Sequence, residues 1–445
     1  MRPVYSLSTL LLCAALSVPA MPALAAPDAI PDGIPDAIPD GLPDDLDALT
    51  LADKAPSEPV AAPSAWRVFV EGNLRRTRQD GSDANFESSR GSIDARFDAK
   101  VAPGLRAVFS DRLDIRHSNR QGGERDVNTL REAYLSWSPT DHQIIDLGRV
   151  NVRHGSAYGY NPTDWFKEGA VRSVVSLDPS VLRENRQGTV VVQGQHLWSG
   201  GSLKAVLSPH LGDDPGFLTP DTSPFSLNTG ATNGRTRWLL VGSSKFSDKL
   251  NAEVLLHGGK DTREQLGLNL SGLIGDATVV FGEFSTGKGR SLVAQALGST
   301  GSNNNRNRAA VGLTYTTAFN LSLTAEAEYN DAGPTRRQWR ALPGIDPLAQ
   351  LRLLAASQSQ QDLPARHAGF VFALWKDALV RRLDLSAFVR HETVTDSRVQ
   401  WLEARYHWDR VDLIAQWQQF SGSRNSIFGS VPQSRTLELA LRFYL

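Results

Sequence analysis

The sequence has little cysteine, little lysine and no long apolar run beyond its first residues. Its one cysteine, Cys13, lies in the N-terminal apolar stretch, so a disulfide framework, a cysteine-ligated zinc site and a thiol nucleophile are excluded. Past that stretch no run of about 18 apolar residues occurs, which excludes a membrane protein built from helices. Helical periodicity is nearly absent from residue 66 onward. The chain that remains is rich in arginine, with 38 arginines against 9 lysines.

The first 26 residues have the three parts of a secretory signal. Arg2 supplies the positive start, Leu7 to Leu16 the short apolar segment, and Ala23 to Ala26 a cleavage site of the A-x-A kind. The apolar segment is too short to cross a membrane and runs directly into proline-rich sequence. Residues 1–26 therefore predict a signal peptide, with a mature chain that begins near Ala26 or Pro27.

Residues 27–65 begin with repeats of a four-residue unit that starts with Pro-Asp. A proline at every fourth residue interrupts the hydrogen bonding of helix and sheet, so an extended, disordered periplasmic arm is expected. This acidic arm carries a net charge of −8, whereas residues 66–445 carry +6. The composition favours a soluble spacer. The alternative is an arm that docks into a basic interior or onto a periplasmic partner.

From Trp66 to the end, apolar and polar residues alternate with a period of two. In residues 320–330, for example, Leu321, Leu323 and Tyr329 share one face, opposite Glu326 and Glu328. Eighteen such segments occur, most of about 9–13 residues, which exceeds the usual strand of about 5–6 residues and suffices to cross a bilayer. The pattern predicts an all-β fold: a transmembrane antiparallel β-barrel over residues 66–445 with about eighteen strands, sixteen being the alternative count.

The connections between these segments alternate between tight turns and links that are mostly longer. Tight turns occur at VAPG (101–104), SGG (199–201), TTAFN (316–320) and WDRV (408–411). Aromatic residues such as Trp66, Trp137 and Trp408 lie near strand ends, where an interfacial belt is expected. Short turns at one rim and long loops at the other are typical of a barrel in the outer membrane of a Gram-negative bacterium. An even number of strands returns both chain ends to the short-turn, periplasmic rim.

Two parts of the chain resemble known proteins. The last strand, LELALRFYL (437–445), is similar to the terminal strand of outer-membrane barrels, which usually ends in an outward aromatic; here Leu445 is last and Phe443 lies two before it. The segments LREAYLSW (130–137) and LGRVNVRHGSAYGYNPTDWF (147–166) are similar to alginate-export-type and related uncharacterised large-barrel families. The resemblance implies an outer-membrane porin or exporter, and barrel-assembly machinery that binds the C-terminal strand 434–445.

If the apolar faces meet lipid, the opposite faces line a charged lumen. The arginines expected to line it and to contact the solute are Arg90, Arg96, Arg106, Arg112, Arg116, Arg390, Arg405 and Arg442. The long loop 153–187 is expected to fold inward as a constriction through Arg153, Tyr158, Tyr160, Trp165, Arg172, Arg183 and Arg186. Two alternatives stay open: the lumen arginines pair with acids across strands and hold the wall together, or the loop is an extracellular flap.

These features predict an outer-membrane channel, not an enzyme, through which small or polymeric hydrophilic solutes diffuse. The charge of +6 and the arginine content favour anionic solutes, including acidic sugars. The partners expected are outer-membrane lipid and the solute, with no nucleic acid, metal or cofactor.

Two other functions are alternatives to the channel. The first is a barrel plugged by its loops, with a short helix around Leu348 to Leu354, that has a structural or assembly role at the cell surface. The second is a lipid-modifying hydrolase that uses His117 and Ser118. Adjacent residues of a strand point to opposite faces, which makes this pair unsuited to catalysis.

Overall fold

The structure is a computed structural model that describes residues 64–79, 85–119, 126–216, 223–247, 249–260, 262–299 and 304–445. The strands are β1 (Trp66–Gln79), β2 (Asn85–Ala102), β3 (Leu105–Ser118), β4 (Val127–Thr140), β5 (Gln143–Val150), β6 (Thr189–Trp198), β7 (Gly201–Ser208), β8 (Arg237–Ser247), β9 (Leu250–Gly259), β10 (Thr262–Ile274), β11 (Thr278–Gly289), β12 (Asn304–Thr316), β13 (Leu321–Asn330), β14 (His367–Trp375), β15 (Leu383–Glu392), β16 (Ser397–His407), β17 (Val411–Ser421) and β18 (Gln433–Tyr444). The helices are α1 (Pro179–Glu184), α2 (Thr229–Asn233), α3 (Leu292–Ala296), α4 (Arg336–Ile345) and α5 (Ala349–Gln360), with a 3₁₀ turn at Trp165–Lys167.

The eighteen strands form one closed antiparallel sheet. Each strand pairs with the next along the chain, and β18 also pairs with β1, where Glu71 lies opposite Arg442 and Leu74 opposite Leu439. The predicted all-β barrel of eighteen strands is confirmed. The predicted signal segment, residues 1–26, and the predicted arm, residues 27–65, lie outside the described residues apart from Ser64 and Ala65.

Side chains alternate between the two faces of this sheet. On β18, Leu437, Leu439 and Leu441 are exposed, whereas Glu438 and Ala440 between them are buried. Because the sheet is closed, the buried residues face the interior and the leucines face outward, as in a barrel surrounded by hydrocarbon. Closure pairs the backbone of every strand, which a bilayer requires. Within the described segments, no helix is long and apolar enough to cross a membrane.

The two rims differ in their connections. The rim that holds the start of β1 and the end of β18 has turns of two to seven residues, whereas the loop from β5 to β6 at the other rim has 38 residues. Some connections at that second rim are also short, at 80–84, 260–261 and 393–396, so the predicted alternation in length holds only in part. The link between β1 and β2 is short because the two strands stay paired up to Arg78 and Asn85.

Aromatic side chains gather at the short-turn rim. Trp66, Trp137, Trp198 and Trp408 all lie there and are exposed, and Trp66 packs on Phe97 with ring centroids 5.0 Å apart. Indole rings favour the headgroup region, where their apolar body and polar N–H are both satisfied. This rim therefore has the belt expected at a membrane interface.

Candidate functional site: the inner wall and its loops

Glu71 on β1 is the centre of a buried ionic network on the inner wall. Its carboxylate accepts hydrogen bonds from Arg90 on β2 (3.1 Å), Arg112 on β3 (2.9 Å) and Arg442 on β18 (2.8 Å). The Glu71 side chain is only 2% exposed. Charge-assisted bonds of this kind are stronger than those between neutral groups, and here they join strands on both sides of the seam where β18 meets β1.

Three more acids extend this network along the same wall. The pairs are Asp114 with Arg112 and Arg116, Asp94 with Arg112 and Arg131, and Glu438 with Arg75 and Arg90. All of these arginines therefore have acidic partners, as the cross-strand alternative of the sequence analysis expected. The acids that hold each arginine could not be assigned from the sequence, because register across strands decides them.

The other predicted lumen arginines also lie on the inner face and pair with acids. Arg106 bonds Asp98 at 2.6 Å, and Arg96 lies 3.9 Å from the same carboxylate. Two and three strands beyond β18, Arg405 of β16 bonds Glu403 at 3.0 Å and Arg390 of β15 bonds Glu328 at 2.9 Å. All eight predicted arginines are thus placed on the inner wall, in two groups: one on β2, β3 and β18, and one on β15 and β16.

The loop of residues 151–188, called here the long loop, crosses the barrel interior. It leaves β5 and returns to β6, yet its tip contacts β11, β13 and β15, which lie six to eight strands from β5 around the ring of eighteen. The Ala157 N–H donates to Glu283 of β11 (2.6 Å), and the Gly159 N–H donates to Glu326 of β13 (2.9 Å). Arg390 of β15 donates to the Gly159 carbonyl oxygen at 2.6 Å. Charged side chains of the opposite wall therefore hold the tip by its backbone.

Two glycines permit this close approach. A side-chain carbon at Gly155, whose φ is +92°, would lie 2.4 Å from the Glu283 carboxylate. At Gly159 it would lie 2.7 Å from both Glu328 and the ring of Phe370. The sequence His-Gly-Ser-Ala-Tyr-Gly (154–159) therefore suits a backbone that lies directly against carboxylates.

The predicted aromatic residues of the long loop pack against the inner wall. Tyr158 lies on Phe372 with ring centroids 4.4 Å apart, and Trp165 stacks on His257 at 5.1 Å. The Tyr160 hydroxyl donates to Asp362 at 2.5 Å. These aromatic side chains are satisfied inside the barrel and not in water above it. These contacts favour the inward path over the flap, in which the aromatic side chains would be exposed to solvent.

The predicted arginines of the long loop serve mainly to hold loops in place. Arg183 donates to the carbonyl oxygens of His154 (3.3 Å) and Gly155 (3.2 Å), Arg186 bonds Asp164 at 2.6 Å, and Arg172 donates to the Ser223 carbonyl at 2.6 Å. Arg153 is half-buried. Burial lowers the pKa of Arg183, and the arginines Arg186 and Arg153 nearby lower it further. These contacts therefore tie the long loop to itself and to the neighbouring loop.

A second loop, residues 331–366, contains two helices and lies at the same rim as the long loop. It is called here the helical loop. Trp339 and Leu342 of α4 and Leu353 of α5 are fully buried against Phe370 and Trp401 of the wall. The predicted helix around Leu348 to Leu354 is found as α5, although Leu348 and Leu351 are exposed. α4 was not predicted, although its capping box at Thr335 and Gln338 is a recognisable start signal. Pro343 lies within α4, where a proline is usually unfavourable.

The two loops meet in a buried polar junction. Gln361 donates to the Lys167 carbonyl (2.6 Å) and the Gly169 N–H donates to the Ser359 carbonyl (2.9 Å). Burial lowers the pKa of Lys167 to about 8. Burial alone would raise the pKa of Asp362, but Arg308 and Lys167 outweigh it and hold that pKa below its usual value. The loops are therefore fastened to each other as well as to the wall.

His117 and Ser118, the pair considered for a lipid-modifying hydrolase, are not brought together by the fold. β3 places His117 on its outward face and Ser118 on its inward face, as neighbouring strand residues must lie. Among the described residues, no group of three or more His, Cys, Asp or Glu side chains is arranged to hold a metal ion.

No protein-family model matches this sequence, and no curated protein is detectably similar to it in sequence. Solved structures do resemble it. OccAB1 of Acinetobacter baumannii aligns over 85% of this chain and 96% of its own, with 11% identity and a TM-score of 0.55. OccK8 (OprE) of Pseudomonas aeruginosa aligns over 85% and 98%, with 10% identity and a TM-score of 0.50. Taken with the closed sheet, the apolar outer band and the aromatic rim, this likeness shows that the chain has the β-barrel fold of outer-membrane porins.

Proposed function

We propose that the protein is a channel that passes small hydrophilic solutes across the outer membrane and prefers anions, acidic sugars included. The lumen is narrowed by the predicted constriction, residues 153–187. Transport is diffusion through a charged bore and needs no cofactor or covalent step.

The unequal exposure of the ion pairs carries the proposed preference for anions. In the pair of Arg106 and Asp98, 47% of the arginine side chain is exposed against 24% of the acid; for Arg405 and Glu403 the values are 23% and 8%. Arg390 is 21% exposed while its partner Glu328 is fully buried. In each of these three pairs the cation is more exposed than the anion. A solute in the bore therefore meets guanidinium groups, which bind carboxylates and phosphates in a bidentate manner.

The path of the long loop supports the proposed constriction. Ser173 accepts a hydrogen bond from Arg116 of β3, while the tip at Gly159 is held on β13 and β15. A single loop is thus attached to walls on opposite sides of the ring. An eighteen-stranded barrel is wide enough to leave an aqueous channel, so a segment across it reduces the open cross-section.

We expect the channel to be anion-selective in planar bilayers under a salt gradient. The reversal potential should have the sign that indicates greater permeability to anions than to cations. It should move toward zero in the variants Arg390→Gln and Arg405→Gln, because each removes an exposed guanidinium. The matched control is Lys288→Gln, an exposed cation on the outward face of β11, which should leave the potential unchanged. A cation-selective current in the unaltered protein would refute the preference.

The plugged barrel remains the second candidate, and one observation favours it. A buried apolar core lies inside the long-loop rim and contains Trp339, Leu342 and Leu353. A plug that fills the barrel would need such a core. Liposome swelling in isosmotic sugar separates the two functions, since a plugged barrel gives no swelling. An assembly partner for strand 434–445 and a periplasmic partner for the arm, residues 27–65, stay predictions.

A further inference from the structure

Three arginines lie together on the outer surface of the barrel, beyond the upper edge of the apolar band. They are Arg76 and Arg78 of β1 and Arg435 of β18, and all three are exposed. Their inward neighbours Thr77 and Thr436 bond each other inside the wall, so the arginines point outward. They lie at the long-loop rim, which faces away from the periplasm in barrels of this kind.

The register places the three guanidinium groups within reach of one small anion. Arg78 lies directly opposite Arg435, and Arg76 lies two residues below Arg78 on the same face. Directly opposed side chains start about 5 Å apart and diagonal ones about 7–8 Å apart. Two like charges directly opposite each other are destabilising in an antiparallel pair. A counter-anion between them would remove this penalty.

The described part of the protein does not supply that anion. Arg76, Arg78 and Arg435 form no ion pair within the described residues, and Glu87, opposite Arg76 on β2, does not bridge to it. The arginines of the network around Glu71 contrast with these, since Arg90, Arg112 and Arg442 each have an acid partner. The unpaired triad therefore suits an anion that comes from the surroundings.

The height of the triad points to a lipid headgroup. Leu74, the outward residue next below Arg76 on β1, is 66% exposed, and Leu437, directly opposite Arg76 on β18, is 52% exposed; both belong to the apolar band. Trp66 of the opposite aromatic rim is ten residues from Arg76 along β1. At ~3.3 Å per residue and a tilt of about 35–45°, this spans about 25 Å, the height of the apolar band of such barrels. The triad thus lies where headgroups of the outer leaflet begin.

We propose that Arg76, Arg78 and Arg435 form a binding site for the phosphate of an anionic lipid in the outer leaflet. The guanidinium forks of two or three arginines bind the phosphate oxygens, and the acyl chains lie on the leucine band below. The site is separate from the lumen, and it stands whether or not the channel prefers anions.

The test is a titration of the folded, detergent-solubilised protein followed by native mass spectrometry. The probes are diphosphorylated lipid A, the same lipid with its phosphates removed, and inorganic phosphate. The variant Arg76→Gln, Arg78→Gln, Arg435→Gln should bind the diphosphorylated lipid at least about tenfold more weakly, since charged hydrogen bonds are lost. The charge-matched control Lys260→Gln, Lys288→Gln, Arg424→Gln removes three exposed cations elsewhere at the same rim and should change binding by less than about twofold.

The gel mobility of unboiled samples shows whether each variant still forms the barrel. The variant Arg76→Lys, Arg78→Lys, Arg435→Lys keeps the positive charge and should therefore lose less lipid affinity than the glutamine variant. Equal binding of the dephosphorylated lipid, or equal losses in the triad and control variants, would overturn the proposal. Displacement of the lipid by inorganic phosphate at comparable concentration would assign the site to a free anion and overturn the choice of a lipid.

Discussion

Deletion of residues 156–180 is expected to raise the single-channel conductance by roughly a factor of two or more, because the segment that crosses the lumen is removed while the eighteen-stranded wall stays. The shortened loop still joins β5 to β6, since Gly155 and Val181 remain to connect them. The backbone pairing between β5 and β6 is unaffected, because it involves none of the deleted residues. Conductance of single openings in planar bilayers measures the effect, and an unchanged value would contradict the constriction.

A milder variant tests the same contact without a deletion. Glu326 accepts the N–H groups of Tyr158 and Gly159, so Glu326→Ala frees the tip from β13 while the loop remains at full length. We expect larger current fluctuations and a wider spread of conductance levels. Glu264→Gln, an exposed acid on the outward face of β10, is the control and should behave like the unaltered protein.

Replacement of Glu71 by leucine should lower the free energy of unfolding by roughly 3–5 kcal/mol, the usual cost of removing one partner from a buried ionic group. Three arginines, Arg90, Arg112 and Arg442, would lose a shared acceptor inside the wall. The loss falls at the seam between β1 and β18, where the barrel must close. Urea titration of the protein folded into lipid vesicles measures it.

Two further variants make the Glu71 result specific. Glu87→Gln removes an exposed acid on the outward face of β2 and should change stability by no more than about 0.5 kcal/mol. The double variant Glu71→Leu, Arg442→Leu should recover part of the loss, because one uncompensated cation is gone. Equal stability of Glu71→Leu and Glu87→Gln would show that the network does not hold the seam.

The strands could be predicted closely because a closed membrane barrel imposes one rule on every strand. Outward residues must be apolar and inward residues need not be, so a period of two recurs over residues 66–445. Sixteen or eighteen strands were both compatible with the pattern, and the closed sheet of eighteen strands resolves the count. The pattern does not predict the last residues of β1, 76–79, or the first residues of β2, 85–88. These segments lie above the apolar band, so their outward residues are polar and the alternation is lost.

The inner wall could be predicted by residue type but not by partner. Alternation places Arg112 and Arg390 inside, whereas their acids Glu71 and Glu328 follow from strand register and ring position, which the sequence pattern does not contain. The contacts of the long loop could not be predicted from the sequence. Glu283, on β11, holds a loop that begins at β5, and no local motif links the two.

The central claim is that inward faces line a watery bore while outward faces meet lipid, and two cysteine variants test it most directly. The chain's only native cysteine, Cys13, lies in the predicted signal segment. Arg405→Cys places a thiol on the inner face of β16, and Leu402→Cys places one on its outer face, where leucine is 47% exposed. A charged, membrane-impermeant thiol reagent added during bilayer recording should change the current through Arg405→Cys and leave Leu402→Cys unaltered. The same response from both variants, or none from either, would contradict the account.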